Sequence, residues 1–163
     1  MTAEILEIEE LARRLLPGQQ LVGLDHGEKT IGVAISDGTR SIATPLDTVR
    51  KKKFTLDAQA LIAMTANRPV GGYVLGLPVN MTGEEGPRAQ SVRAFARNFS
   101  RLTEAPIVFW DERLSTVAAE RALLEADTSR KRRAEVIDHV AASYILQGAL
   151  DRLSVLARES RDE

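Results

Sequence analysis

Two short apolar runs, "LVGLD" (21–25) and "TIGVAIS" (30–36), are separated by "HGEK". That is the pattern of two strands joined by a tight turn, a β-hairpin. "DGTR" (37–40) marks a second turn, leading into a shorter strand over 42–46. Upstream, Ile5, Ile8, Leu11 and Leu15 recur at helical spacing and predict a helix over residues 3–16, which Pro17-Gly18 stops. A second helix is expected over 54–67, with Leu56, Ala60, Leu61 and Met64 inward. "YVLGL" (73–77) is too continuously apolar to keep one face in water, so it reads as a buried strand. The loop "PVNMTGEEG" (78–86) then precedes a helix over 87–101, and "PIVFW" (106–110) is a fifth strand followed directly by "DERLS". Two more helices, over 116–125 and 134–153, flank "ADTSRKRR", and the polar tail "ARESRDE" is expected to fray.

Three strands in a meander followed by alternating helix and strand give an α/β fold, a five-stranded mixed sheet flanked by helices. The expected organisation is an N-terminal helical extension over 1–18, one α/β domain over 19–153, and a polar tail over 154–163. Sites in such sheets form beyond the carboxyl ends of strands where connections diverge. Here those ends are Asp25, Gly76 and the pair Asp111 and Glu112.

Composition narrows the chemistry. The 163 residues suit one domain, and 44% hydrophobic with 28% charged residues allows a proper core. There is no cysteine, which removes disulfides, thiolate metal sites and a cysteine nucleophile, and fits a reducing cytoplasm. No apolar run approaches a membrane span, and the N-terminus lacks the pattern of a secretory signal. The formal net charge is −1, yet "RKKK" (50–53) and "RKRR" (130–133) hold eight of the 22 basic residues. Either run suits phosphates, and either alone reads as well as a solvated loop.

Three acids stand out. Asp25 could simply cap its turn, but an apolar strand leads to it and Gly27 and Gly32 let a ligand approach. Of Asp111 and Glu112, alternation along the strand turns one toward Asp25 and leaves the other to a basic neighbour such as Arg113. Asp138 precedes Ala141, Ala142 and Ile145 at helical spacing, so the helix can press close to the sheet and draw the acid inward. His139 reads as a surface or capping residue. Oxygen ligands from three such acids suit Mg²⁺ or Mn²⁺, and paired ions of this kind cleave phosphodiesters. Lys29 and Arg113, near the acids in sequence, and Arg88, at a helix start, are candidates to steady a phosphate.

"GLDHGEKTIGVAISD", "VLGLPVNMTGEEGPRAQSVRAFA", "FWDERLST" and "DHVAASYILQGALD" together resemble the successive motifs of the YqgF/RuvX family across residues 21–152. The resemblance implies a ribonuclease H-like fold and a metal-dependent nuclease, with Asp25, Glu112 and Asp138 on the acidic positions. It implies a nucleic-acid substrate, either a four-way DNA junction or the 5′ end of small-subunit ribosomal RNA precursor, and leaves room for a homodimer. Thr30 stands where the family commonly has a basic residue, Ser115 where it has Thr, and the fourth strand ends in "GLP" without a carboxylate. Two other readings compete. A non-catalytic nucleic-acid or ribosome-assembly module would leave the acids structural. An actin-like or sugar-kinase ATPase also opens with an Asp-X-Gly hairpin, but this chain has one such hairpin and no Walker sequence.

Overall fold

The computed structural model describes residues 2–114 and 130–161, and for 130–138 the backbone alone. The elements in chain order are β1 (Ile5–Leu6), α1 (Ile8–Arg14), β2 (Gln20–His26), β3 (Thr30–Ser36), β4 (Ala43–Arg50), α2 (Phe54–Met64), β5 (Val70–Leu77), α3 (Pro87–Phe99), β6 (Ile107–Asp111), a 3-10 turn (Glu112–Leu114) and α4 (Arg130–Arg161). The strands form one sheet in the order β1-β6-β5-β2-β3-β4. β2, β3 and β4 are the antiparallel meander, whereas β5 and β6 run parallel to β2.

The sheet has a sixth strand that the periodicity of residues 3–16 hid. Ile5 and Leu6 pair in parallel with Ile107 and Val108, and the helix begins only at Ile8. The sheet edge offered by β6 captures the first apolar residues before a helix can form through them. Ala3 N–H donates to the Ser100 carbonyl and Ile107 N–H to the Glu4 carbonyl, which tie this segment to the domain. Leu11 of α1 is fully buried beside Leu21, Val108 and Leu150.

Two apolar layers enclose the sheet. One face carries Val22, Leu24, Leu75 and Phe109 against Ala58 and Leu61 of α2 and Val92, Phe95 and Phe99 of α3. The other carries Leu21, Ala34, Val74, Val108 and Trp110 against Ala141, Ala142, Ile145, Leu146 and Ala149 of α4. Small residues make the second contact close. A Cβ on Gly23 would lie 2.7 Å from Leu146 Cβ and 2.9 Å from the Ala142 carbonyl oxygen. The helix backbone therefore sits nearly on β2.

Three expected elements differ. The buried stripe of α2 is Asp57, Ala58 and Leu61, while Leu56 is 44% exposed and Ala60 is exposed too. Asp57 turns inward because its carboxylate accepts the Lys52 N–H at 2.9 Å, tying the helix start to the preceding chain. β4 runs to Arg50 because pairing continues from Ser36↔Ala43 to Thr30↔Arg50, past a bulge at Val33/Ala34. α4 starts at Arg130 and continues to Arg161, so "RKRR" lies in helix and most of the polar tail is helical. Leu153 and Leu156 pack against α1 and the sheet, which explains the added turns. The helix expected over 116–125 lies outside the described residues.

Candidate functional site

β2, β5 and β6 end side by side, with Leu24 paired to Leu75 and Gly76 paired to Trp110. Odd-numbered residues of β2 face α4, since the missing Cβ of Gly23 points at Leu146. Asp25, two residues on, therefore faces the same side, at the strand's carboxyl end, and is only 3% exposed. Its partner across the hairpin is Gly32, and Gly32 in turn pairs with Thr48 of β4. Asp25, Gly32 and Thr48 thus form one cross-strand row, and the middle position has no side chain to fill the space between its neighbours.

The second carboxylate arrives from β6. Asp111 is the last residue of that strand and is held by Arg113: Nη2 donates to Oδ2 at 2.7 Å and Nε to Oδ1 at 3.1 Å. The guanidinium keeps the Asp111 carboxyl below its ordinary range. Glu112, one residue later, turns to the α4 side. Its Oε1 is buried and lies 3.0 Å from the place a Cβ on Gly76 would take. Gly76 is thus the opening through which Glu112 reaches over β5, with Ile145 of α4 on the other side.

Asp138 belongs to the backbone of α4, and its side chain lies outside those described. Position 138 comes three, four and seven residues before Ala141, Ala142 and Ile145, the stripe pressed onto the sheet. The next residue locates this end of the helix: His139 Nδ1 and Thr48 Oγ1 share a hydrogen bond of 2.9 Å. The turn of α4 that contains His139 therefore crosses the row that contains Asp25. His139 is half-buried against β4 rather than at the surface, a packing no local pattern announces.

Basic groups collect on the same rim. Lys29 is exposed in the β2–β3 turn, and its carbonyl accepts the Lys51 N–H at 2.9 Å. Lys51 Nζ donates to the Gly27 carbonyl at 3.1 Å, so the "RKKK" run is folded against the hairpin beside Asp25. Arg88 is exposed in the first turn of α3. Burial pushes the imidazole of His26 down to about 4, and the positive charges of Lys51 and Arg88 add to that shift. His26 is therefore neutral near pH 7, its ring 4.7 Å from that of Phe95. Arg113 shares its charge with Asp111 and so differs from Lys29 and Arg88. The role of Lys51 in this rim went unread in the sequence, where "RKKK" showed only as a charge run.

Among the described residues, no three His, Cys, Asp or Glu side chains gather as a metal site. The donor set still fits a hard divalent cation: the buried Asp25 carboxylate and Glu112, whose Oε1 is buried, follow β2 and β6 on either side of β5, all oxygen, with a third acid on α4.

Comparison with known proteins agrees with this architecture. The family model described as RuvX, Holliday junction resolvase, matches residues 19–152. A protein of Ruegeria pomeroyi named "Putative pre-16S rRNA nuclease" is 70% identical over 146 residues, covering 90% of this chain and 95% of its own. One of the same name from Paracoccus denitrificans is 67% identical over 151 residues, covering 93% and 96%. Among solved structures, Thermus thermophilus RuvC in complex with a Holliday junction substrate superposes with a TM-score of 0.53 at 8% identity, over 83% of this chain and 96% of that one. That likeness is one of fold, the ribonuclease H-like arrangement of resolvases. The chain belongs to the RuvX family.

Proposed function

We propose that this chain is a divalent-cation-dependent nuclease that trims the 5′ end of precursor 16S ribosomal RNA. The single observation that carries the reading is the convergence on one rim. Asp25 is buried at the end of β2, Glu112 reaches over β5, and α4 crosses the row of Asp25 at His139. The substrate choice follows the names of relatives about 70% identical over nearly their whole length. The resolvase likeness at 8% identity speaks for fold alone.

Asp25, Glu112 and Asp138 would hold Mg²⁺ or Mn²⁺. When bound, the cation lowers the pKa of a coordinated water and offsets the charge of the phosphate. The chain's own groups do the rest. Lys29 and Arg88 draw the backbone toward the rim, and Arg113 adds to that field once the phosphate competes with Asp111. His26 stays neutral and keeps the far side of β2 packed on α3. The site of action is the cytoplasm, where ribosomes are assembled. Among the described residues, no helix is long and apolar enough to cross a membrane.

The test is cleavage by purified protein with Mn²⁺ of three labelled substrates: precursor RNA with an extended 5′ end, a four-way DNA junction, and single-stranded RNA. Metal-dependent cleavage of the precursor at a defined position, absent in Asp25→Asn, is the expected result. Preference for the junction would move the substrate to DNA. No cleavage of any of them, with tight binding retained, would favour a non-catalytic assembly module. Turnover of ATP would revive the kinase-like reading.

A further inference from the structure

Among the described residues, α4 is hydrogen-bonded to β4 and the turn before it at two points. At one, Gln147 accepts the Ala43 N–H at 2.9 Å through Oε1 and donates to the Ser41 carbonyl at 3.0 Å through Nε2. At the other, His139 Nδ1 meets Thr48 Oγ1 at 2.9 Å. Eight residues of helix, about 12 Å of rise, separate the two clamps. Between them the helix is held by apolar packing of Ala141, Ala142, Ile145 and Leu146 and by the close approach to Gly23. Beyond His139, toward the helix start, lie Asp138 and the basic run.

We infer that Thr48 is a positioning residue for Asp138: its hydrogen bond to His139 fixes the turn of α4 that presents the third carboxylate to the row containing Asp25. The register supports this. Thr48 pairs with Gly32, which pairs with Asp25, so the clamp is anchored on the same strand row as the first acid. Ala141 and Ala142 let α4 lie close to the sheet, and the His139–Thr48 bond adds a directional polar contact at the level of the Asp25 row. Gln147, two turns away, holds the helix without setting the orientation of residue 138.

The inference rests on the metal-dependent reading of the acids. The test compares Thr48→Val, which keeps the shape and removes the hydroxyl, with Thr48→Ser, which keeps the hydroxyl. In metal-free protein, amide exchange over 134–142 should quicken roughly tenfold in Thr48→Val, the size of one lost hydrogen bond, while exchange over 145–153 stays unchanged. The Mn²⁺ dissociation constant from calorimetry, and the Mn²⁺ concentration for half-maximal cleavage, should rise several-fold, with the rate at saturating metal less affected. Thr48→Ser should restore both. Unchanged exchange over 134–142, equal acceleration along all of α4, or an unchanged Mn²⁺ constant would each overturn the inference. Wild-type protein that binds no Mn²⁺ would remove the metal-dependent reading and this inference with it. Wild-type binding that is matched by Thr48→Val would remove the inference alone.

Discussion

Gly76 shows how little room the site has at the scale of one residue. A methyl there would lie 2.5 Å from Ile145 Cδ1 and 3.0 Å from Glu112 Oε1. Gly76→Ala is therefore expected to cost about 1–3 kcal/mol through overpacking and to displace the Glu112 carboxylate. Denaturant unfolding and a Mn²⁺ titration check the two effects separately. If the variant keeps wild-type stability and metal affinity, the space above β5 is not the constraint described. Asp25 gives the complementary case. Asn is nearly the same size but brings no negative charge, so Asp25→Asn should bring cleavage below detection while leaving the fold intact. The metal-free variant should melt close to wild type, since the buried side chain keeps its size. A large fall in melting temperature would assign Asp25 a structural role instead.

Two elements carry consequences of their own. The turn between β3 and β4 is organised by Asp37, whose carboxylate accepts from the Thr39 hydroxyl and from the N–H groups of Ser41 and Ile42. Those bonds lower its pKa to about 2. The folded state thus binds this proton less readily than the unfolded chain. Its contribution is complete above the ordinary Asp value of 3.8 and is lost as pH falls toward 2. Asp37→Asn should melt at a lower temperature at pH 7, and its midpoint should fall less steeply than wild type between pH 4 and 2. Parallel curves would show that the carboxylate charge is not what the turn uses. At the other edge, Leu11 inserts α1 under the α4 layer with no exposure. Leu11→Ala should cost about 2–5 kcal/mol, measured by urea unfolding, which is far more than an appended surface helix would show.

Over the whole molecule, charge distribution matters more than net charge. With a formal net charge of −1, attraction for nucleic acid must come from where the cations sit. "RKRR" occupies the first turn of α4, the helix whose residue 139 meets the row of Asp25. Binding should weaken steeply with salt. Replacing residues 130–133 with Gln should flatten the logarithmic slope by up to about 3, at roughly 0.7 per contact for a single strand. Binding should weaken for RNA and DNA alike, since phosphate contacts carry no sequence information, while single-turnover cleavage at saturating substrate changes little, since the proposed metal ligands remain. An unchanged slope would make the run a solvated helix end.

The hairpin around Asp25, the buried strand that carries Gly76, the strand ending at Asp111 and the long last helix were all legible from local pattern. Periodicity of two or 3.6 and turn residues are properties of neighbouring positions. Motif order and spacing carried the family, because together they run through most of the chain. What local pattern left open was decided by contacts far apart in sequence. Residues 3–16 have a helical stripe, yet Ile5 and Leu6 became a strand because β6 offered an open edge. Asp111 and Glu112 are equal candidates by type. Pleat alternation, Arg113 and the opening at Gly76 assign Asp111 to an ion pair and Glu112 to the α4 face. Thr48 and His139 are 91 residues apart, and no spacing rule connects them. The sequence by itself determined five of the six strands, the candidate acids and the family. Only the tertiary structure decided which acid turns inward and what holds the last helix over it, because both depend on one sheet face closing against one helix.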